Sequence, residues 1–398
     1  MNAQVQGSQT ILDIEGINAA TEAVAAIAAT YAVAVDRDSR FPHEAFAAAK
    51  KHRLLGIQVP KRFGGEGAAL SEIVQVCYRL GRVCASTAMI FAMHQIKIAC
   101  ILRHSQDSAW HERMLQRLCA EQLLLASSTT EGTGGGNVRS SEAPVEHEGS
   151  RITLLRRATV MSYGAEADGI VTTARRSADA AASDQVLIVF LKSDYALEPL
   201  VSWDTLGMRG TASTGYVIRA SGEAAQILPD AYEKIHVETM VPFAHLTWSS
   251  VWTGIAAGAV ERAQEFLRHA ARQSGGQLPP GAAHFTRAYA SLRTLRGLLA
   301  SSLKSFEHAQ DDERALRSID FQTMINVTKV EASELAVSIV LSALRACGLS
   351  GYRNDSEFSV VRSLRDVLSA PIMINNDRIL TNLATSSLMT GIPNSILE

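Results

Sequence analysis

A chain of 398 residues, 47% hydrophobic and 20% charged, is long enough for two or three domains with real cores and has the balance of an ordinary globular protein. Its formal net charge of −2, without a basic stripe, argues against a nucleic-acid partner. The five cysteines (Cys77, Cys84, Cys100, Cys119 and Cys347) include no Cys-x-x-Cys pair, which argues against zinc or dithiol chemistry and fits a reduced, cytoplasmic setting.

The N-terminus has no basic segment followed by an apolar core, so no signal peptide is expected. No apolar run is expected to reach the roughly 20 residues of a bilayer span, so no membrane insertion is expected either. Residues 1–125 read as a helical domain. "INAATEAVAAIAATYAVAV" is rich in helix formers, and "FPHEAFAAAKKHRLLG" carries Pro42 early and Gly56 at its end. "SEIVQVCYRLGRV" and "TAMIFAMHQIKIACILRH" follow with an apolar 3.6 period after a Gly-rich break. Over 126–240 the texture changes to short β-type runs, "RITLLRRATVM", "DGIVTTARR", "QVLIVFLK" and "GYVIRAS", which predict a small antiparallel β domain. From 241 to 398 long helical patterns return, too apolar to stand alone, and predict a bundle.

Within this order "TTEGTGGGN" (129–137) is the most conspicuous loop. It lacks the lysine and hydroxyl that complete a phosphate-cradling loop and precedes a β segment, and it misses the dinucleotide Gly-x-Gly-x-x-Gly spacing. What remains is a turn, or a loop letting backbone approach a flat ligand with Thr130 offering its hydroxyl.

The set "VPKRFGGEG", "TTEGTGGGN", "MSYGAEADGIVTTA", "WDTLGMRGTAS", "GIAAGAVERA", "ACGLSGY" and "RSLRD" resembles, in order and spacing, the acyl-CoA dehydrogenase superfamily across nearly the whole chain. The resemblance implies a helical N-terminal domain, a middle antiparallel β-barrel and a C-terminal four-helix bundle. It also implies non-covalent FAD, an acyl-CoA thioester or similar substrate, and a homotetramer or homodimer whose neighbours complete the flavin site. Thr130 matches the flavin-binding threonine of the family's Thr-Glu-Pro loop, with Gly132 in place of its proline and Gly136 in place of its serine. Ser162 matches the hydroxyl residue near flavin N5, and Val160 stands where an aromatic residue often covers the ring. Arg272 matches an arginine that reaches a neighbour's FAD pyrophosphate, and Gly348 and Gly351 match a Gly-rich turn at the cofactor.

The resemblance also marks what is missing. Aligned from Arg365-Asp366, Met373 and Ile374 replace the tyrosine and the glutamate base of the family's Tyr-Glu-Gly-Thr, and Asn375 and Asn376 replace its last two residues. At the alternative base position Val251 is apolar, with Trp252 where an arginine often sits. Losing a general base costs about 10²–10⁴ in rate. Three readings stay open: Asp377 is a relocated base; the scaffold runs O₂ chemistry, with His94, Ser162 and Asn376 around the reaction centre and a flavin reductase or the substrate supplying electrons; or the protein only binds. Trp252, Met373, Ile374 and Asn375 are expected to shape the substrate pocket.

Overall fold

The structure is a computed structural model that describes residues 14–131, 139–389 and 391–392, so Gly132 and Gly136 of the Gly-rich loop lie outside the described residues. The chain begins with five helices: α1 (Ile14–Arg37), α2 (His43–Lys51), α3 (Leu70–Val83), α4 (Ala85–His104) and α5 (Ala109–Glu121). In α3 the buried set Leu70, Ile73, Val74, Cys77, Leu80 and Gly81 follows the helical period and faces the core. α4 is apolar on every face and almost wholly buried, the pattern of a helix enclosed by others.

By length and composition, α1 and α4 are each long and apolar enough to cross a bilayer, which corrects the expectation that no such run exists. For α4 the physical reason is plain: its window is 89% buried inside the protein, so its apolar surface is already covered. α1 buries one stripe (Ile17, Ala20, Val24, Ala28, Ala32, Val35) and exposes the other face.

Seven strands follow in two sheets. β1 (Leu125–Ser128), β4 (Gly169–Arg175) and β5 (Gln185–Leu191) form one, in the order β1-β4-β5. β2 (Val145–Glu148), β3 (Arg151–Ala158), β6 (Tyr195–Val201) and β7 (Gly215–Glu223) form the other, in the order β2-β3-β7-β6. The expected antiparallel pattern holds in four ladders, but β1 pairs with β4 in parallel, Leu125 opposite Gly169 and Ser128 opposite Thr172. A parallel pair needs a long crossover, which the intervening β2 and β3 supply. In β3 burial alternates strictly, placing Arg156 on the inward side with Ile152, Leu154 and Ala158.

A short helix α6 (Tyr232–Ile235) runs through a π-helical turn (His236–Met240) into the long α7 (Val241–Gln273). There follow α8 (Ala282–Ala309), α9 (Glu313–Arg317), α10 (Ile319–Cys347), α11 (Leu349–Tyr352), α12 (Val361–Val367) and α13 (Asn376–Met389). α7 is the axle of the molecule, packing on α8 and α10 on one side and on α3 and α4 on the other. Its crossing with α3 is a backbone contact. A Cβ added at Gly81 would fall 2.6 Å from the Val251 carbonyl oxygen, and one at Gly254 would fall 2.3 Å from that of Tyr78. One continuous hydrophobic core therefore runs from α1 to α12.

Candidate functional site

β1 delivers the chain to Thr130 and Glu131, both half-buried just past its end. Glu131 is held there: its carboxylate accepts hydrogen bonds from the Ser141 hydroxyl (2.7 Å) and the Glu142 amide (3.0 Å), and lies 3.3 Å from the Arg156 guanidinium. Arg156 also donates to Ser141 (3.2 Å) and to the Thr173 carbonyl, so the inward arginine of β3 ties the ends of the Gly-rich loop to the sheet. Its side chain is fully buried, a position a cation keeps only with partners of this kind.

Ser162 follows β3 in a tight turn where Tyr163 adopts a left-handed φ of 44°. Its hydroxyl is 2.8 Å from that of Ser213, which is 2.8 Å from that of Thr211, which donates to the Met208 carbonyl at 2.8 Å. The Met208 amide in turn donates to the buried Asp366 carboxylate (2.7 Å). Burial pushes the Asp366 carboxyl up to about 6, against the opposing pull of that amide. Thus the "WDTLGMRGTAS" turn that orients Ser162 is locked to the Arg365-Asp366 pair, and the backbones meet so closely that a Cβ on Gly207 would lie 2.1 Å from the Arg365 carbonyl oxygen. Beside this network a surface groove of about 350 Å³ is lined by Ser39, Trp203, Ala212 and Thr214 among others.

His94 is fully buried and both ring nitrogens are taken by backbone. Nδ1 accepts the Leu125 amide (3.0 Å), which fixes the proton on Nε2, and Nε2–H donates to the Leu55 carbonyl (2.9 Å). The Tyr163 hydroxyl donates to the Leu125 carbonyl (2.9 Å). His94 and Tyr163 thus grip the first residue of β1 from both sides, which sets where Thr130 and Ser162 stand relative to each other. Burial holds the His94 ring neutral, at about 4. This is a different task from the expected one at the reaction centre, because neither nitrogen is free to meet a ligand.

The C-terminal turn also departs from expectation. Ile374 and Asn375 both take positive φ (57° and 36°), and Ile374 is more than a third exposed at the tip. Asn375 caps α13, its Oδ1 accepting the amides of Asp377 (3.0 Å) and Arg378 (3.3 Å). Asn376, expected to orient substrate, is buried and committed to the protein: Oδ1 accepts from the Lys329 ammonium (2.6 Å), and Nδ2 donates to Ser333 (2.9 Å) and Glu334 (2.7 Å). Asp377 lies exposed in the first turn of α13, where a carboxylate suits the helix dipole. Met373 is half-buried against the core, and Val251 and Trp252 are fully buried in α7.

Two buried lysines escaped the sequence reading. Lys329 sits on the inward stripe of α10, 5.6 Å from the Trp252 ring centroid, and also donates to the Ala370 carbonyl (3.3 Å). Lys97, one turn beyond His94 on α4, donates to the Met240 thioether at 3.6 Å. Burial lowers both ammonium groups to about 8. On α7, His245 Nδ1, Trp248 Nε1, Ser249 Oγ and Trp252 Nε1 are buried without a hydrogen-bond partner among the described residues, at the i, i+3, i+4, i+7 spacing of a single helical face. For Lys97 the signal that could have found it is a lysine flanked by Ile96 and Ile98 in a mostly apolar helix; Lys329, among Asn326, Thr328, Glu331 and Glu334, carries no such signal.

Arg272 is exposed near the C-terminal end of α7. Gly348 ends α10 at φ 56°, a conformation that favours glycine, and a Cβ on Gly351 would press within 2.6 Å of Cys347 Cβ. Thr130, just past a strand end, and Ser162, held by a hydroxyl relay, fit the acceptor-bearing edge of a flat cofactor.

A family model described as "Acyl-CoA dehydrogenase, N-terminal domain" matches residues 17–122, and one described as "Acyl-CoA dehydrogenase, C-terminal domain" matches 246–373. The chain is 24% identical over 343 residues to a probable acyl-CoA dehydrogenase of Mycobacterium bovis, covering 85% of each. It is 22% identical to a probable FMNH2-dependent monooxygenase of Pseudomonas putida, over 77% of this chain and 79% of that protein. Its fold superimposes on the FMN-bound TdsC of a Paenibacillus with a TM-score of 0.84 at 17% identity, covering 95% and 98% of the two chains.

Proposed function

Since the chain belongs to the acyl-CoA dehydrogenase superfamily and is a flavin-dependent oxidoreductase of that fold, we propose that it works as an O₂-using monooxygenase or oxidase rather than a desaturase. One observation carries the reading: the chain puts no acid or base at the two positions from which this scaffold removes a proton. Ile374 occupies the first, at the tip of a turn whose neighbours Asn375 and Asn376 are engaged in capping and clamping. Val251 occupies the second, buried under α3. The displaced alternative, Asp377, faces solvent. A desaturase with a relocated base therefore finds no support in the placement of these side chains.

The cofactor we favour is FAD. The exposed guanidinium of Arg272 and the turn at Gly348 and Gly351 are the groups through which the resemblance implies pyrophosphate contacts, across a homodimer or homotetramer interface. The FMN in a structural neighbour makes FMN the second reading. When bound, the flavin supplies electron transfer and, once reduced, O₂ activation. The chain's own part is positioning. Thr130 and Ser162 present hydroxyls to the ring, and the Ser213–Thr211–Met208 relay keeps Ser162 oriented without reorganisation. The buried residues of α4 and α7 exclude water. The substrate is an acyl thioester or a related small acid, and the electrons come from a separate flavin reductase or from the substrate.

Mass spectrometry of the flavin released from the purified protein decides between FAD and FMN. Reduced, flavin-loaded protein mixed with ¹⁸O₂ and candidate substrate is expected to place label in product, and Ser162→Ala is expected to lower that yield about tenfold or more. Anaerobic bleaching by a saturated acyl-CoA with release of enoyl-CoA would overturn the oxygenase reading.

A further inference from the structure

Lys97 is an ammonium on a core helix with only 3% of its surface exposed. At about 8, it still carries a proton at neutral pH. Among the described residues its hydrogen-bond contact is the thioether of Met240, a weak acceptor that is itself shared with the Tyr232 hydroxyl at 3.4 Å. The titratable groups acting on it are Cys100 and His236, neither of which is a carboxylate. The carboxylate of the same π-helical turn, Glu238, is turned towards Arg103 (3.9 Å) and Arg317 (3.2 Å). A buried ammonium without an anion is costly, which is what lowers its pKa, and an anionic ligand would offset that cost.

The surroundings repeat the imbalance. Among the described residues His236 Nδ1 has no partner, and Arg139 and Lys97 both add positive potential at its ring. His245, its pKa lowered first by burial and then by Lys329 and, least, by His236, bonds the Ile325 backbone through its ring but leaves Nδ1 without a partner among the described residues. Two of the unpartnered groups on the same face of α7, Trp248 Nε1 and Trp252 Nε1, can only donate. The Lys97 ammonium on α4 and the indole N–H groups of Trp248 and Trp252 on α7 are thus donors short of acceptors, next to the helix face whose His94 sets the strand leading to Thr130.

We propose that Lys97, with His236 and the unpartnered donors of α7, binds the oxyanion head of a small organic acid, a carboxylate or a sulfur oxyacid. This rests on the reading of a flavin enzyme with a small-molecule substrate, and within it favours a free acid over a thioester, whose reacting end is neutral. The unbranched stem of Lys97 lets the ammonium follow the anion away from Met240, and His236 and the indole N–H groups complete its hydrogen bonding.

The test is calorimetric titration of the flavin-loaded protein with butyrate, with propane-1-sulfinate and with butyramide as the neutral match. At least one anion is expected to bind ten times more tightly than the amide, and the tighter of the two identifies the acid class. Lys97→Met is expected to lose that binding at least tenfold, while Lys97→Arg retains it. Without ligand, Lys97→Met is expected to melt at or above the wild-type temperature, since it removes an unpaired buried charge, and saturating anion then raises the melting temperature of wild type alone. His236→Asn is expected to weaken the anion severalfold, which guards against a folding defect in the lysine variants. Equal binding of amide and anions, no binding of either anion, or unchanged anion affinity in Lys97→Met would each overturn the proposal. Oxygen uptake with reduced flavin is measured in parallel. Uptake without anion binding removes this pocket and leaves the oxygenase reading, and anion binding without uptake does the reverse.

Discussion

Replacing His94 by phenylalanine separates a positioning histidine from one that handles substrate. In the native chain Nδ1 is the acceptor of the Leu125 amide, and the variant leaves that amide buried and unpaired, at a cost of about 1–3 kcal/mol. The Leu55 carbonyl fares better, because Gln95 Nε2 also donates to it at 3.1 Å, so its lost bond adds only about 1 kcal/mol. At pH 7 the variant should therefore be less stable by about 2–4 kcal/mol. A second signature follows from protonation. The folded protein holds the ring neutral at about 4, whereas an unfolded histidine titrates near 6.5. Between those values the unfolded chain binds the extra proton, so the stability that His94 contributes is complete above about pH 6.5 and is lost as pH falls towards 4. By pH 5 that loss is on the order of 2 kcal/mol, and the gap between wild type and variant should narrow by that amount. Urea unfolding followed by circular dichroism at both pH values measures it. Unchanged stability at pH 7, or a folded, flavin-loaded variant whose turnover falls about 100-fold, would refute the positioning role and restore His94 to the chemistry.

Asn376→Leu removes the acceptor of the buried Lys329 and should cost about 2–4 kcal/mol, seen as a lower melting temperature; a neutral result would mean that the ammonium finds another partner. Asp377→Asn should leave flavin reduction and turnover within about twofold, and a loss near 100-fold in anaerobic stopped-flow would reinstate it as a base. Gly254→Ala should force α3 and α7 apart, costing roughly 1–3 kcal/mol by thermal unfolding, because the new methyl would meet the Tyr78 carbonyl at 2.3 Å.

Much of the architecture was legible because it is written in local periodicity. The spacing of Leu70, Ile73, Val74, Cys77 and Leu80 announces the face of α3, and the alternation of Ile152, Leu154 and Ala158 announces that of β3. The parallel pairing of β1 with β4 was not, since it joins segments 44 residues apart that no local pattern connects. Motif position led to Ser162, but its meaning lies in Ser213 and Thr211, which only the folded chain brings to it. His94 illustrates the opposite limit: a histidine among apolar residues has the same sequence appearance whether it serves a substrate or a strand. Lys97 and Lys329 were passed over because a single lysine in a helix usually reaches solvent along its stem, and here the helices on every side close that route.

The ion pair between Asp36 and Arg365 joins residues 329 apart, and its arginine also holds the Leu206 carbonyl at 3.0 Å. During synthesis the first helices emerge long before α12 exists, so the turn that steadies Ser162 has nothing to lock onto until Arg365 has left the ribosome. Contacts of such high sequence separation form late and slowly. The setting of Ser162 is therefore a late product of synthesis, and a chain truncated ahead of Arg365 is expected to retain less flavin.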